Sequence, residues 1–320
     1  MKLDRRMFVG GALALGAGGC IPPDQSPLGR LAAELRIIEA AGDGTLGVEL
    51  FNPVSGAAVG LNQQQRFGHA SSFKLSLAAL LLRRHAAGAI DADQRVTWGK
   101  ADLVGHSPFT LERLASGASW RELARAAQVT SDNGAANILL RALGGPAALT
   151  AFWRSLGDSV SRLDRYEPEL NLVPASEFRD STTPAAMART LARIVYGEVL
   201  PEAARAELKG WMVETRTGER RVRAGLPKGW VAGDKTGTSG LIAGREYCYV
   251  DIGFAESPGG VPITFACYFR ARQSTDEMLA RGEQVLARVG RIIKEFAEPA
   301  RGLPLVGKLY QARLAAMGAQ

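Results

Sequence analysis

Ser71 and Lys74 are the first residues whose types and spacing could do chemistry, and an apolar run from Leu75 to Leu82 follows them. If a helix begins at Ser71, the hydroxyl and the amine lie at positions i and i+3 on one face, near the positive end of the helix dipole. A serine becomes a nucleophile when a base lies beside it. A lysine whose pKa is lowered by burial and by neighbouring cations can be that base. The pair therefore indicates nucleophilic catalysis, but the same spacing also occurs by chance in many ordinary helices.

A second polar group is Ser131-Asp132-Asn133. In acyl transfer, a hydroxyl at this place could pass a proton to a leaving nitrogen, and the Asn133 amide could hold the amide of a substrate. The alternative is a polar helix cap, in which Ser131 or Asp132 binds the first backbone N–H groups of a helix.

A third group is Lys235-Thr236-Gly237-Thr238-Ser239-Gly240, which follows a strand-like segment. Glycine in a strand lets another backbone approach closely. Lys235 and the neighbouring hydroxyls could then bind a carboxylate. The alternative is a surface strand that ends in a glycine-rich turn.

In this order, the three groups resemble the motifs of the penicillin-recognising serine enzymes, which include class A β-lactamases and penicillin-binding proteins. Residues 162–171 distinguish between these two groups of enzymes, because they resemble the Ω-loop of class A β-lactamases. Tyr166 stands where the family usually has tryptophan. Glu167 precedes a proline and should be extended or in a turn; in the family this peptide bond is cis. The alternative for Glu167 and Asp180 is solvated loop charge. The resemblance covers residues 27–296 and identifies the chain as similar to a class A serine β-lactamase.

The resemblance implies a role for each site residue. Ser71 attacks the β-lactam carbonyl, Ser131 passes a proton to the ring nitrogen, and Glu167 activates the water that hydrolyses the acyl-enzyme. Either Lys74 or Glu167 serves as base in acylation. Arg165 and Asp180 close the Ω-loop by pairing. The implied substrate-binding residues are Asn133, Asn171, Lys235, Thr236, Gly237, Thr238, Ser239, Arg221 and His106. No metal and no organic cofactor is implied.

Three positions need comment. The arginine that the family often carries on the strand after Lys-Thr-Gly is absent, since Ala243 and Gly244 stand there, and Arg221 is expected to replace it as the carboxylate anchor. His106 either stacks on the substrate at the mouth of the cleft or is an exposed loop histidine. His69 lies two residues before Ser71, but the segment lacks the Gly-x-Ser-x-Gly elbow and a third triad member, so it is expected to be structural.

Strand-like patterns lie at both ends of the chain and helical patterns fill the middle. Residues 27–41 predict an amphipathic helix, and residues 46–50 and 57–61 predict two strands. Two further strands are expected at 247–255 and 261–269, and a last helix from about 276 to 296 with Met278 on its apolar face. The fold class is therefore α+β. The resemblance implies a β-lactamase/transpeptidase-like architecture: a five-stranded antiparallel sheet flanked by terminal helices, plus an all-helical domain. The expected domains are a discontinuous sheet domain (27–62 and 211–296) and a helical domain (63–210) with the Ω-loop at about 162–180.

The composition limits the kinds of molecule that the protein is expected to bind. The 320 residues carry a net charge of +7, spread along the chain rather than gathered in a stripe, so we expect no nucleic-acid partner. A small anionic substrate is compatible with this charge. Only three cysteines and three histidines occur, without metal-ligand spacing, which argues against a zinc site. Cys248 and Cys267 lie in neighbouring predicted strands and are either a disulfide or two buried thiols.

Residues 1–20 are expected to be an export signal. Arg5-Arg6 before a short Gly/Ala-rich apolar stretch resembles a twin-arginine signal. Small residues before Cys20 resemble a lipoprotein cleavage site, and the alternative is ordinary cleavage near residue 20. We expect a periplasmic monomer, anchored to the membrane if Cys20 is lipidated. Residues 297–320 extend past the last helix.

Two other functions remain open at this point. A D-Ala-D-Ala carboxypeptidase or transpeptidase shares the three short motifs but usually lacks the Glu167–Asn171 loop. A penicillin-binding sensor that stays acylated is usually fused to a membrane-spanning segment. The expected function is hydrolysis of penicillin- and cephalosporin-type β-lactams.

Overall fold

The computed structural model describes residues 26–298. The predicted export signal, Cys20 and all but the first two residues of the C-terminal extension lie outside this range. The strands are β1 (Gly44–Phe51), β2 (Ala58–Leu61), β3 (Phe67–Gly68), β4 (Arg95–Val96), β5 (Ala118–Ser119), β6 (Ser181–Thr182), β7 (Val231–Ile242), β8 (Glu246–Glu256) and β9 (Pro262–Arg272). The helices are α1 (Pro27–Gly42), α2 (Phe73–Ala86), α3 (Pro108–Glu112), α4 (Trp120–Val129), α5 (Asn133–Ala142), α6 (Gly145–Ser155), α7 (Pro184–Tyr196), α8 (Glu202–Glu214), α9 (Val222–Gly225) and α10 (Ala280–Ala297).

Five strands form one antiparallel sheet in the order β2-β1-β9-β8-β7, which confirms the predicted fold class. The sheet joins strands from both ends of the chain, because β1 pairs along its whole length with β9. β8 and β9 are buried at nearly every residue, since helices cover both faces of the sheet. Two short ribbons, β3 with β6 and β4 with β5, lie outside this sheet.

Each face of the sheet has its own apolar core. On one face, Leu35 of α1 and Val289 of α10 pack with Phe269 of β9. On the other face, Val250 of β8 joins the larger core that includes α2 and the helices around it. Every residue of α2 from Phe73 to Leu82 is buried, so α2 is the central helix of this core.

Cys248 and Cys267 are free thiols, so the structure does not contain the disulfide that was one of the two alternatives. Cys248 pairs in register with Arg270, whereas Cys267 pairs with Asp251. Positions 267 and 270 are three residues apart on one strand, so the two sulfurs point to opposite faces of the sheet. Burial raises the pKa of the Cys248 thiol to about 11.

The last helix begins at Ala280, so the expectation that residues 276–279 belong to it is wrong. Two hydrogen bonds hold this segment against the sheet instead. The Leu241 N–H donates to Asp276 Oδ1 at 2.6 Å, and the Leu279 N–H donates to the Tyr249 hydroxyl at 2.8 Å. As a result, Met278 lies in a loop beside the cleft, rather than on the apolar face of a helix.

Candidate active site

A cleft of about 730 Å³ lies between β7 and the helices. Its walls include residues from each of the three motifs and from the Ω-loop, but not Lys74, Lys235, Glu167 or Ser239. The lining residues are Ser71, His106, Thr130, Ser131, Asn133, Asn171, Arg216, Thr217, Glu219, Arg220, Arg221, Thr236, Gly237, Thr238, Tyr247, Met278 and Glu283.

Ser71 lies in a single 3₁₀ turn, Ala70–Ser72, that leads directly into α2. One turn later, Lys74 Nζ donates to Ser71 Oγ at 2.8 Å, so the i and i+3 arrangement predicted from the sequence is present. Ser71 Oγ also lies 3.3 Å from Glu167 Oε1. The serine hydroxyl therefore has two candidate proton acceptors within reach.

Lys74 and Glu167 form a fully buried ion pair with 3.0 Å between Nζ and Oε1. Burial lowers the pKa of the Lys74 amine, while the Glu167 carboxylate acts in the opposite direction. Lys74 Nζ also donates to the backbone oxygen of Ser131 at 2.9 Å and to the Asn133 side chain. The Lys74 amine is thus held by Ser71, by the Ser131–Asn133 segment and by Glu167 of the Ω-loop.

Ser131 lies between two lysines. Lys235 Nζ donates to Ser131 Oγ at 3.1 Å, and Lys74 Nζ lies 3.5 Å from the same oxygen. Burial, with the nearby Lys74 charge as a further cause, holds the pKa of Lys235 well below its ordinary value. This hydroxyl is therefore placed to exchange a proton with either amine.

Glu167 is held by two asparagines. Asn171 Nδ2 donates to Glu167 Oε2 at 2.6 Å. Asn137 binds the backbone of Glu167 on both sides: its Nδ2 donates to the carbonyl at 2.9 Å, and its Oδ1 accepts from the N–H at 3.0 Å. The sequence reasoning did not assign Asn137, although its place one turn after Asn133 on α5 was a usable signal.

The Ω-loop is closed at its base by Asp180, which is fully buried. One carboxylate oxygen accepts the backbone N–H groups of Asp164 and Arg165 at 2.7 and 2.9 Å, and the other accepts Arg165 Nε at 2.5 Å. The structure therefore contains the predicted pair, and the bond between Glu167 and Pro168 is cis. The carboxylates of Glu167 and Asp180 are not solvated loop charges.

The β7 wall approaches Ser71 closely at Gly237. A Cβ on Gly237 would lie 2.8 Å from the His69 carbonyl and 3.1 Å from the Ser71 nitrogen, so only glycine leaves this gap open. The neighbouring Thr236 donates its hydroxyl to Thr217, another residue that the sequence reasoning missed. Ser239 is placed differently from the prediction. Its hydroxyl donates to the Gly240 carbonyl and accepts the Cys248 N–H at 2.8 Å, within the irregular part of the β7–β8 pair rather than in the cleft lining.

Arg221 reaches the cleft from just before α9, and it is buried. Its Nη1 donates to the carbonyls of Gly237 and Val250, and its Nη2 donates to Thr238 Oγ1 at 2.8 Å. The structure thus brings Arg221 to the Lys-Thr-Gly strand, as expected for a carboxylate anchor.

The two histidines near the site differ in setting. His106 lines the cleft, its Nε2 lies 3.0 Å from the Thr130 carbonyl, and its own carbonyl accepts the Asn133 N–H at 2.8 Å. His69 is fully buried and stacks on Trp153 at 4.8 Å between ring centroids. Burial lowers the pKa of His69 to about 4, so the ring is neutral near pH 7 and has the structural setting expected for it.

Comparison with known proteins agrees with this geometry. A model of the β-lactamase enzyme family matches residues 30–297. The β-lactamase FAR-1 of Nocardia farcinica is 45% identical over 234 residues, which are 73% of this chain and 73% of that protein. The β-lactamase L2 of Stenotrophomonas maltophilia is 42% identical over 261 residues, which are 82% of this chain and 84% of that protein. Among solved structures, an ancestral class A β-lactamase (GNCA) superposes with a TM-score of 0.78 and 44% identity, covering 83% of this chain and 99% of that chain.

Proposed function

The chain belongs to the β-lactamase enzyme family and is a class A serine β-lactamase, and we propose that it hydrolyses β-lactams through an acyl-enzyme on Ser71 that water activated by Glu167 then cleaves. One observation carries this assignment of residues: Ser71 Oγ has the Lys74 amine at 2.8 Å and the Glu167 carboxylate at 3.3 Å. Both groups are buried, so a proton moves between them without competition from bulk water.

In acylation, Ser71 Oγ attacks the ring carbonyl and gives up its proton. The acceptor is the Glu167 carboxylate or the Lys74 amine, whose pKa burial lowers. The negative charge on the carbonyl oxygen is stabilised by the backbone N–H groups of Ser71 and Thr238, which the close approach at Gly237 supports. The ring C–N bond then breaks, and the nitrogen takes a proton from Ser131, which regains one from the adjacent Lys74 or Lys235.

In deacylation, Glu167 takes a proton from a water molecule, and the resulting hydroxide attacks the ester carbonyl. The ester bond breaks, and Ser71 Oγ recovers the proton that Glu167 took from the water, so both groups return to their starting state. Asn171 and Asn137 hold Glu167 in place for this step, and the closed Ω-loop fixes the segment that carries it. Substrate is held by Asn133 at its amide and by Thr236, Thr238 and Arg221 at its carboxylate, with His106 at the mouth of the cleft. Lys235 is buried behind these lining residues and adds its positive charge to the carboxylate site.

The test is to mix the purified protein with a slight excess of benzylpenicillin and to record intact mass and absorbance together. We expect rapid loss of the ring absorbance and unmodified protein at the end. A stable one-to-one adduct would contradict the deacylation role of Glu167 and would indicate a penicillin-binding enzyme or sensor. Folded protein with neither turnover nor adduct, on penicillins and cephalosporins alike, would contradict the proposal as a whole.

We also infer that residues 1–20 direct export to the periplasm, on the strength of Arg5-Arg6 and the short apolar stretch that follows. Attachment to the membrane through a lipid on Cys20 is the accompanying proposal, and the mature enzyme is proposed to act as a monomer. Cell fractionation of the wild type and of Cys20→Ser tests the anchor. Activity that stays in the membrane fraction for the wild type and becomes soluble for the variant supports lipidation, and soluble activity for both contradicts it. Light scattering on the purified protein tests the monomer.

A further inference from the structure

The guanidinium of Arg221 donates every Nη hydrogen to protein atoms. Nη1 binds the carbonyls of Gly237 at 2.8 Å and Val250 at 2.6 Å, and Nη2 binds Thr238 Oγ1 at 2.8 Å and Met278 Sδ at 3.4 Å. Each Nη nitrogen carries two hydrogens, so all four are engaged. The fifth N–H, on Nε, is buried and has no hydrogen-bond partner. A substrate carboxylate that binds an Nη nitrogen of Arg221 must therefore displace one of the four partners.

Met278 is the partner that gives way most easily. The two carbonyls belong to the paired strands β7 and β8, and Thr238 is fixed on β7. A thioether sulfur is a weak acceptor, and a methionine side chain has three rotatable bonds. Met278 is 43% exposed and lines the cleft, so it has free space to move into.

The backbone around Met278 is held on both sides, so the movement is confined to its side chain. The Glu277 carbonyl accepts Gln273 Nε2 at 2.9 Å, and the Leu279 N–H donates to the Tyr249 hydroxyl. The central carbon of the Arg221 guanidinium lies 5.9 Å from the centroid of the Tyr249 ring, a cation–π contact that helps to hold the guanidinium in place. Opening therefore needs a rotamer change and no loop movement.

We propose that the Met278 thioether is a displaceable cover on Arg221, occupying the N–H that the carboxylate of the β-lactam takes over on binding. Met278 is then a specificity-determining residue that sets the strength of substrate binding through Arg221. This inference rests on the proposed role of Arg221 as carboxylate anchor. A weak acceptor suits the role, because it satisfies a buried N–H in the free enzyme and competes little with a carboxylate, whose charge-assisted hydrogen bond is about twice as strong as a neutral one.

The test compares Met278→Gln with Met278→Leu. Glutamine has a similar length and presents an amide oxygen, which is a strong acceptor that stays on Arg221. We expect KM for benzylpenicillin to rise about tenfold in Met278→Gln with kcat unchanged, as for a loss of binding shared by the ground and transition states. Leucine fills the same space without an acceptor, so KM should equal the wild-type value or fall below it. Equal KM values in the wild type and both variants would overturn the proposal.

Arg221→Ala separates this inference from the proposed function beneath it. With the anchor in place as proposed, Arg221→Ala raises KM, and adding Met278→Gln to it has no further effect, because the two residues act through one contact. An unchanged KM in Arg221→Ala contradicts the anchor itself. A third outcome is that KM rises in Arg221→Ala, and that Met278→Gln raises KM equally in the wild type and in Arg221→Ala. This outcome contradicts only the proposal that Met278 covers Arg221.

Oxidation with hydrogen peroxide gives an independent test on the native side chain. One oxygen atom passes from the peroxide to the Met278 sulfur, which is oxidised by two electrons, and the peroxide is reduced to water. The sulfoxide oxygen is a strong acceptor, so oxidised wild type should show a raised KM that methionine sulfoxide reductase restores, while Met278→Leu stays insensitive. Within residues 26–298, the other methionines, Met187 and Met212, are fully buried. Peptide mapping that finds the sulfoxide at Met278 with KM unchanged would overturn the proposal.

Discussion

Replacing Asn137 by alanine should slow deacylation far more than acylation. The hydrogen bonds of the Asn137 side chain go to Glu167 and not to Ser71, because it binds both the N–H and the carbonyl of Glu167. Without it, the backbone that carries the general base is free to shift, while Ser71 and Lys74 keep their places on α2 and the turn before it.

The size of the effect follows from the two hydrogen bonds, which are 2.9 and 3.0 Å long and buried. Each of the two buried groups left without a partner costs about 1–3 kcal/mol, so the free energy of unfolding should fall by roughly 2–6 kcal/mol. Misplacing a catalytic group by about 1 Å costs on the order of 10²-fold in rate, which is the decrease expected in the deacylation rate constant.

The assay is stopped-flow absorbance with benzylpenicillin, combined with intact mass after rapid quenching. Asn137→Ala should show a burst of substrate loss, then slow turnover, with the acyl-enzyme as the main species. Leu35→Ala is the control. It removes a fully buried side chain on the far face of the sheet at a cost of about 2–5 kcal/mol and should keep the wild-type rate constants when folded. If Asn137→Ala loses stability as expected but deacylates at the wild-type rate, or if both variants deacylate equally slowly, the reasoning is refuted.

Three further predictions concern the supports of the site. Asp180→Ala removes the acceptor of three hydrogen bonds and leaves the Arg165 cation without its carboxylate partner. Calorimetry should therefore show a free energy of unfolding lower by about 3–5 kcal/mol, and kinetics should show a lower kcat. An unchanged melting temperature would contradict the role of Asp180 in closing the Ω-loop. Burial lowers the pKa of His69 from 6.5 to about 4, so the unfolded state binds the extra proton between these pH values and stability falls as the pH drops through them. Denaturation from pH 7 to 4 should therefore show His69→Phe losing roughly 3 kcal/mol less than the wild type, and parallel losses would refute the shift. Cys248 and Cys267 are buried on opposite faces of the sheet, so peptide mapping after alkylation should find both unmodified in the native protein and modified in guanidinium; labelling of either in the native state would be contrary evidence.

Much of the fold could be predicted because the patterns were local. The strand patterns at 46–50, 247–255 and 261–269 correspond to β1, β8 and β9, because strands buried in a sheet need apolar residues along short segments. The start of the last helix was wrong for the opposite reason. Residues 276–279 fit a helical period, but distant partners on β7 and β8 bind the Asp276 side chain and the Leu279 N–H and hold the segment outside the helix.

The site shows the same division. The Ser71–Lys74 contact was predictable from the spacing of the two residues within one helical turn, and the structure contains this contact. The contacts of Asn137 with Glu167 and of Met278 with Arg221 join residues far apart in the chain. The place of Asn137 one turn after Asn133 was a local signal for the site, but no local pattern names the partner of either residue. Cys248 and Cys267 show why register matters, since only the pairing of β8 with β9 places them on opposite faces.

The most direct measurement is the mass of Glu167→Gln after mixing with benzylpenicillin, with Glu169→Gln as the matched control. Both glutamates lie on the Ω-loop, but Glu167 is buried against Lys74 while Glu169 is exposed. The predicted result is a stable adduct on Ser71, located by peptide mapping, for Glu167→Gln, and unmodified protein with wild-type turnover for Glu169→Gln. Undiminished turnover by Glu167→Gln, or an adduct on a residue other than Ser71, would contradict the mechanism.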